Sequence, residues 1–186
     1  MDCREIVLLL TSLVVTKPYF RKCVKVVNLL NSVSPQFVIS GENNIFVVLC
    51  ENRGHQSSND NIGHFVLIFI SCTGNVYLFD SSGNADETAN SYPQIKQFID
   101  KVSSGTQLFN KKRIQSFNSC ACGIYCIFVA IYLSLNYSLQ TILSWFSDTD
   151  LVGNDLSILK WFKKRIGTQL VQDKRILLCD FEQNAI

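Results

Sequence analysis

Two apolar runs around a turn decide the fold: His64-Phe65-Val66-Leu67-Ile68-Phe69-Ile70 and Val76-Tyr77-Leu78-Phe79, joined through Thr73-Gly74-Asn75. β-Branched and aromatic residues fill both runs and the turn residues sit between them, which predicts a β-hairpin. Upstream, Asn44–Cys50 and Gln36–Ser40 are rich in Val, Ile and Phe and read as further strands, and a short strand is expected around Arg113–Gln115. Helical spacing appears elsewhere. Ile6, Leu9, Leu10 and Leu13 predict a first helix that Pro18 would stop, and Lys22–Leu30 reads as a short second one. Pro93 opens a helix with Ile95, Phe98, Ile99 and Val102 on one face; a strongly apolar helix is expected from Cys122 to about Leu135, then two more over Leu139–Phe146 and Asp155–Ile166. Glu51–Gly63, which holds His55, and Gly83–Tyr92 read as loops. Helices, then strands, then helices make an α+β chain.

Composition agrees with one packed unit. The 186 residues are expected to form a single domain, 1–186; 47% are hydrophobic, with 13 Phe against 3 Pro and 9 Gly, which excludes a disordered or low-complexity chain. Seventeen basic against 15 acidic residues leave +2, far from the excess of a dedicated nucleic-acid binder. Eight cysteines (Cys3, Cys23, Cys50, Cys72, Cys120, Cys122, Cys126, Cys179) read as thiols, because a core of this size needs no disulfide staples and no secretory signal is evident. The apolar stretch Ile6–Val15 is flanked by Asp2 and Glu5, with no small-residue cleavage site after it. The longest apolar run, Cys120–Leu133, falls short of the roughly 18–20 residues that cross a bilayer. Ile114–Ser147 carries no formal charge and is expected to be buried.

Only two histidines are present, so a His-dependent reaction has few sources. His55 lies in a polar loop. The hairpin instead brings His64, at the start of its first strand, near Asp80, at the end of its second. A carboxylate beside an imidazole fixes its tautomer and stabilises its charged form. Cys122 falls where an extended segment turns into a helix, and a helix N-terminus lowers a thiol's pKa. Gly123 after it permits close backbone approach. Cys126, one turn along, reads as packing, and Cys120 as a neighbouring thiol. The C-x-C-x3-C spacing has no second knuckle, so no metal site is expected, and no G-x-S-x-G elbow indicates a serine hydrolase. The amide of Gln115 could serve an oxyanion or simply be polar surface.

Three blocks carry a resemblance: Gly63-His64-Phe65-Val66-Leu67, Tyr77-Leu78-Phe79-Asp80-Ser81-Ser82-Gly83, and Gln115-Ser116-Phe117-Asn118-Ser119-Cys120-Ala121-Cys122-Gly123-Ile124-Tyr125-Cys126. With Pro18-Tyr19-Phe20 they resemble the adenovirus maturation protease (adenain-like) family, related to the SUMO-deconjugating proteases, over about residues 18 to 133. The resemblance implies a central mixed sheet packed between helices, with His64 as general base, Asp80 as orienting acid, Cys122 as nucleophile and Gln115 as oxyanion donor. It also sets Gly63, Phe65 and Gly123 beside the substrate. Asp80 stands where adenoviral enzymes commonly have Glu, and Phe65 where Trp often follows the histidine. No cofactor is implied for the chemistry itself. The family uses DNA and an activating peptide, the latter tied through a cysteine upstream of the glutamine. No cysteine lies between Cys72 and Cys120, so a peptide activator would act here without a covalent link. Lys111, Lys112 and Arg113, and Lys160, Lys163, Lys164 and Arg165, are the candidates for DNA contact, against a solvated-surface role.

The implied function is a viral cysteine endopeptidase that processes structural precursors at Gly-containing sites during virion maturation. It would act as a monomer without membrane association, in the virion and in the host nucleus or cytoplasm, and would not be secreted. The alternatives are a deconjugating protease that cleaves ubiquitin-like proteins after Gly-Gly, and an inactive scaffold that binds a partner protein.

Overall fold

The computed structural model describes residues 24–28, 35, 38–50 and 63–164. The expected first helix, the loop with His55 and the tail beyond residue 164 lie outside the described residues. Five strands, β1 (Val24–Asn28), β2 (Asn44–Cys50), β3 (His64–Ile70), β4 (Val76–Phe79) and β5 (Gln107–Phe109), lie in chain order in one sheet. The central pairs β2/β3 and β3/β4 are antiparallel and the outer pairs β1/β2 and β4/β5 parallel, so the sheet is mixed. Among the described residues five helices accompany it: α1 (Ala85–Ser91), α2 (Pro93–Val102), α3 (Cys122–Ser134), α4 (Leu139–Ser144) and α5 (Leu151–Phe162). The α+β expectation holds.

Side-chain alternation along the strands divides the core in two. Phe46, Val48, Val66, Ile68, Val76 and Leu78 face one way and pack with Ala85, Ala89, Ile95, Phe98 and Ile99 of α1 and α2. Ile45, Val47, Phe65, Leu67, Phe69 and Phe79 face the other way, against α3, α4 and α5. α3 is apolar around almost its whole circumference, because its neighbours surround it, and that accounts for the long uncharged stretch in the sequence. Both hairpin strands, β2 and the Pro93 start of α2 fall where the sequence puts them.

Five elements differ from expectation, each for a physical reason. The described part of Lys22–Leu30 is not a helix: Val24–Asn28 pairs with β2 as a strand, in keeping with the β-branched Val24, Val26 and Val27. The described part of Gln36–Ser40 is a loop instead of a strand. Asn44 closes it by accepting the Ile39 N–H (2.9 Å) and donating to the carbonyls of Ile39 (3.0 Å) and Glu42 (2.8 Å), while Gly41 supplies φ +75°. No strand forms at Arg113–Gln115. The edge of β4 is taken by Gln107–Phe109, and Ile114 and Gln115 donate their N–H groups to Ser81 O (3.0 and 3.1 Å). Gly83–Tyr92 is mostly the helix α1, whose first turn carries Asp86 and Glu87, charges that suit a helix N-terminus. α5 starts at Leu151 and not Asp155, since Asp150 caps it by accepting the Gly153 N–H (2.8 Å).

Candidate active site

β3 outruns its neighbour. Its pairing with β4 begins only at Leu67, opposite Phe79, so the first three residues of β3 project past the end of β4. Two consequences follow. His64 and Asp80 meet at this corner, with His64 Nε2 donating to Asp80 Oδ1 at 2.7 Å. The backbone of Phe65 also lacks a β4 partner, and the first two turns of α3 supply one: the Phe65 N–H donates to Cys122 Sγ, while Cys126 Sγ donates to Phe65 O at 3.5 Å.

Asp80 is fixed on every side. It is buried, and Oδ1 also accepts from the Ser82 N–H (2.7 Å) and hydroxyl (2.6 Å), while Oδ2 accepts from the Thr88 hydroxyl (2.6 Å). Asn110 clamps the backbone, accepting the Asp80 N–H and donating to Asp80 O, both at 2.7 Å. Burial by itself would raise the carboxyl pKa; the hydrogen bond and charge of His64, then the bonds from Ser82 and Thr88, outweigh it and hold the group below the usual carboxylate range.

With Nε2 committed to Asp80, the ring nitrogen left for the thiol is Nδ1, and Cys122 and His64 are hydrogen-bonded. Burial works against charge on both. The Asp80 and Cys122 contacts nonetheless push the imidazole up to about 10. On Cys122 the His64 hydrogen bond and charge, joined by the N–H groups of Phe65 and Gly123, prevail over burial and lower the thiol pKa. α3 reinforces this, because its N-cap Ala121 offers no capping side chain and its first turn holds no acid. The positive end of the helix is left to the sulfur. Both shifts favour a thiolate beside an imidazolium, with the ring oriented by a buried carboxylate.

Gln115 is buried on the segment just before α3. Its Oε1 accepts from the Ser81 hydroxyl and its Nε2 donates to Ser119 O at 2.6 Å. The segment is held from the far side by α5. Asn154 Nδ2 donates to Ile114 O (3.0 Å), Asp155 Oδ2 accepts the Ser116 N–H (3.3 Å), and the buried Tyr125 hydroxyl lies within bonding distance of both Ile114 O and Asp155 Oδ1. Gly83, at φ +79°, lets the turn after Asp80 lie against this segment: a Cβ there would collide with the backbone of Lys112 and Arg113.

The remaining expected residues divide. Gly63 precedes His64 against Leu49, where a Cβ would clash with the Leu49 side chain, and Gly123 presents its N–H to the sulfur. Phe65 turns its ring into the core, since alternation points it away from the His64 side, and only its backbone reaches the site. The basic trio is engaged within the chain. Lys111 pairs with Asp86 (3.6 Å), Lys112 donates to Phe146 O (2.6 Å) and pairs with Asp148, and the Arg113 guanidinium lies 4.2 Å from the Phe117 ring centre. The sequence reading missed Cys50, which lies opposite His64 in the β2/β3 register. Burial, then the charges of Asp80 and Cys122, push its thiol up to about 12, so it stays neutral. It also missed Thr88, Asn110, Asn154 and Asp155. Only the Ser81-Ser82-Gly83 turn after Asp80 offered a local signal of the acid's support.

No protein-family model and no curated protein matches the sequence. Among solved structures, the chain is similar to the crystal structure of the ASFV pS273R protease, at 18% identity and a TM-score of 0.43. The match takes in 66% of this chain and 44% of that one, so less than half of that protease has a counterpart here. A likeness that distant assigns no role to any residue of this chain.

Proposed function

We propose that this chain is a cysteine endopeptidase. One observation carries the reading: a thiol at the start of a helix bonded to an imidazole whose other nitrogen is held by a buried carboxylate, with the thiol pKa lowered and the imidazole pKa raised. Cys122 Sγ attacks the scissile carbonyl carbon, and the carbonyl electrons move onto oxygen. The Cys122 backbone N–H and the Gln115 amide are the donors assigned to that oxyanion. As the tetrahedral species collapses, the C–N bond breaks and His64 Nδ1 gives its proton to the leaving amine. Water then attacks the thioester, His64 takes its proton, and the acid product leaves Cys122 as a thiolate again.

The motif resemblance supports the finer part of the reading, in which the substrates are viral structural precursors cut at Gly-containing sites during particle maturation. DNA or an activating peptide enters it only as a non-covalent partner. The test is cleavage of Gly-Gly-containing peptides by the purified chain, with and without DNA. Cleavage that Cys122→Ala and His64→Ala each reduce by at least about a thousandfold supports the proposal. Full activity in either variant overturns the assignment. No cleavage, together with no labelling of Cys122 by a thiol-directed electrophile, leaves a protein-binding scaffold. Covalent capture by ubiquitin-like aldehyde probes redirects the substrate to conjugated proteins.

A further inference from the structure

We propose that the cleft beyond His64 receives a basic side chain from the leaving-group half of the substrate, with Glu87 as its counter-charge. The inference rests on the endopeptidase reading and names part of its specificity.

The cleft has a volume of about 330 Å³ and starts at Cys50, His64 and Asp80. It runs along α1, where Asn84, Glu87, Thr88 and Ser91 line it at the i, i+3, i+4, i+7 spacing of one helix face, and ends at Tyr92. Cys122 is not among its walls, while His64, which is, also contacts the sulfur. That placement fixes which half of a peptide it serves. His64 must hand its proton to the departing nitrogen, so the chain that leaves with that nitrogen passes the imidazole, while the acyl half stays on the sulfur. The volume lies at the lower end of the roughly 300–1,000 Å³ of small-molecule sites, which suits one or two residues and not a folded domain.

Its charge is equally specific. Among the described residues, the lining holds two carboxylates, one imidazole and no Lys or Arg. The Asp80 charge is matched by His64, whereas Glu87 is exposed and forms no ion pair among the described residues. One uncompensated negative charge, flanked by the amide and hydroxyl of Asn84 and Ser91, complements a Lys or Arg side chain and disfavours Asp or Glu.

Two measurements test this. In the first, quenched peptides with a Gly-Gly cut and Lys, Gln or Glu at the first or second leaving-side position are cleaved by the full chain. Lys is expected to exceed Glu by about fivefold or more in kcat/KM, with the gap shrinking at high salt, and Glu87→Lys is expected to reverse the order. In the second, fluorescein-labelled leaving-half peptides bearing Lys or Glu are titrated against the Cys122→Ala protein by fluorescence anisotropy, which needs no turnover. The same preference and the same reversal by Glu87→Lys are expected. Cleavage with no Lys/Glu preference at either position overturns the cleft proposal and leaves the endopeptidase reading standing. Charge-selective binding without any cleavage by the wild-type chain supports the cleft and overturns the endopeptidase reading. Equal binding of both peptides, or a preference unchanged by Glu87→Lys, overturns the cleft proposal.

Discussion

The first and second turns of α3 carry the same side chain four residues apart, on one face and against the same strand residue, yet the two sulfurs differ in chemistry. Cys122 meets the N–H of Phe65 and the imidazole of His64, and its thiol pKa falls. Cys126 meets the carbonyl of the same Phe65, is fully buried, and has its pKa raised, chiefly by burial. A donor stabilises sulfur as an anion and an acceptor stabilises it as a thiol. Reactivity at this corner thus follows from what the sheet presents to each turn and not from cysteine itself.

The most severe way to break the contrast is to remove the reactive sulfur. Cys122→Ala should abolish peptide cleavage and alkylation by iodoacetamide, read by intact mass, whereas Cys126→Ala should keep both and lose about 1 kcal/mol of stability in denaturant titration. Removing the acid's charge should come next. Asp80→Asn leaves the His64 ring without its anion, so kcat/KM should drop roughly 10²- to 10⁴-fold and the ultraviolet thiolate absorbance should titrate at higher pH. If that absorbance does not move, the coupling from Asp80 through His64 to Cys122 is wrong.

The pH profile sharpens the same contrast. His64 is pushed up to about 10, so its proton, and the part of folding stability tied to it, is lost as pH rises through that value. Cys122 is displaced the other way and loses its thiolate only below the ordinary thiol range. Activity should form a bell with its alkaline limb near 10, and an alkaline limb near 6.5 would contradict the pairing. The contribution of Asp80 is full above the ordinary carboxylate range and vanishes as pH falls through its depressed value, so acid unfolding should shift to higher pH in Asp80→Asn. The smallest effect expected is that of Thr88→Val, which removes one bond to Asp80 Oδ2. A several-fold loss in kcat/KM is expected from steady-state cleavage, with a fall of about 1.5–3 kcal/mol in stability.

How much of this is legible in the sequence depends on how local the determinant is. The hairpin is fully legible, because two β-branched and aromatic runs and a Gly-Asn turn act within sixteen residues, and with it the meeting of His64 and Asp80. The start of α3 is legible from the break between Asn118-Ser119 and the apolar run. The edge strands are not: β1 and β5 exist because β2 and β4 offer them backbone partners, and Gln107-Leu108-Phe109 carries no stronger strand signal of its own than Arg113-Ile114-Gln115. Nor are the supports of the site, since Asn110 reaches Asp80 across thirty positions and Asn154 reaches Ile114 across forty. The direction of the Phe65 ring follows from alternation once His64 is assigned to the other face, but its packing partners do not.

The overhang of β3 past β4 makes the corner that holds His64 and Cys122 a vacant rung on a ladder. Were β4 to continue in register by two pairs, so that Ser81 faced Phe65, its backbone would claim the amide of Phe65 that now faces the two sulfurs, and Cys122 would lose one of the donors that lower its thiol pKa with every side chain of the site intact. Strand length, a property usually assigned to architecture, is here a setting of nucleophile strength.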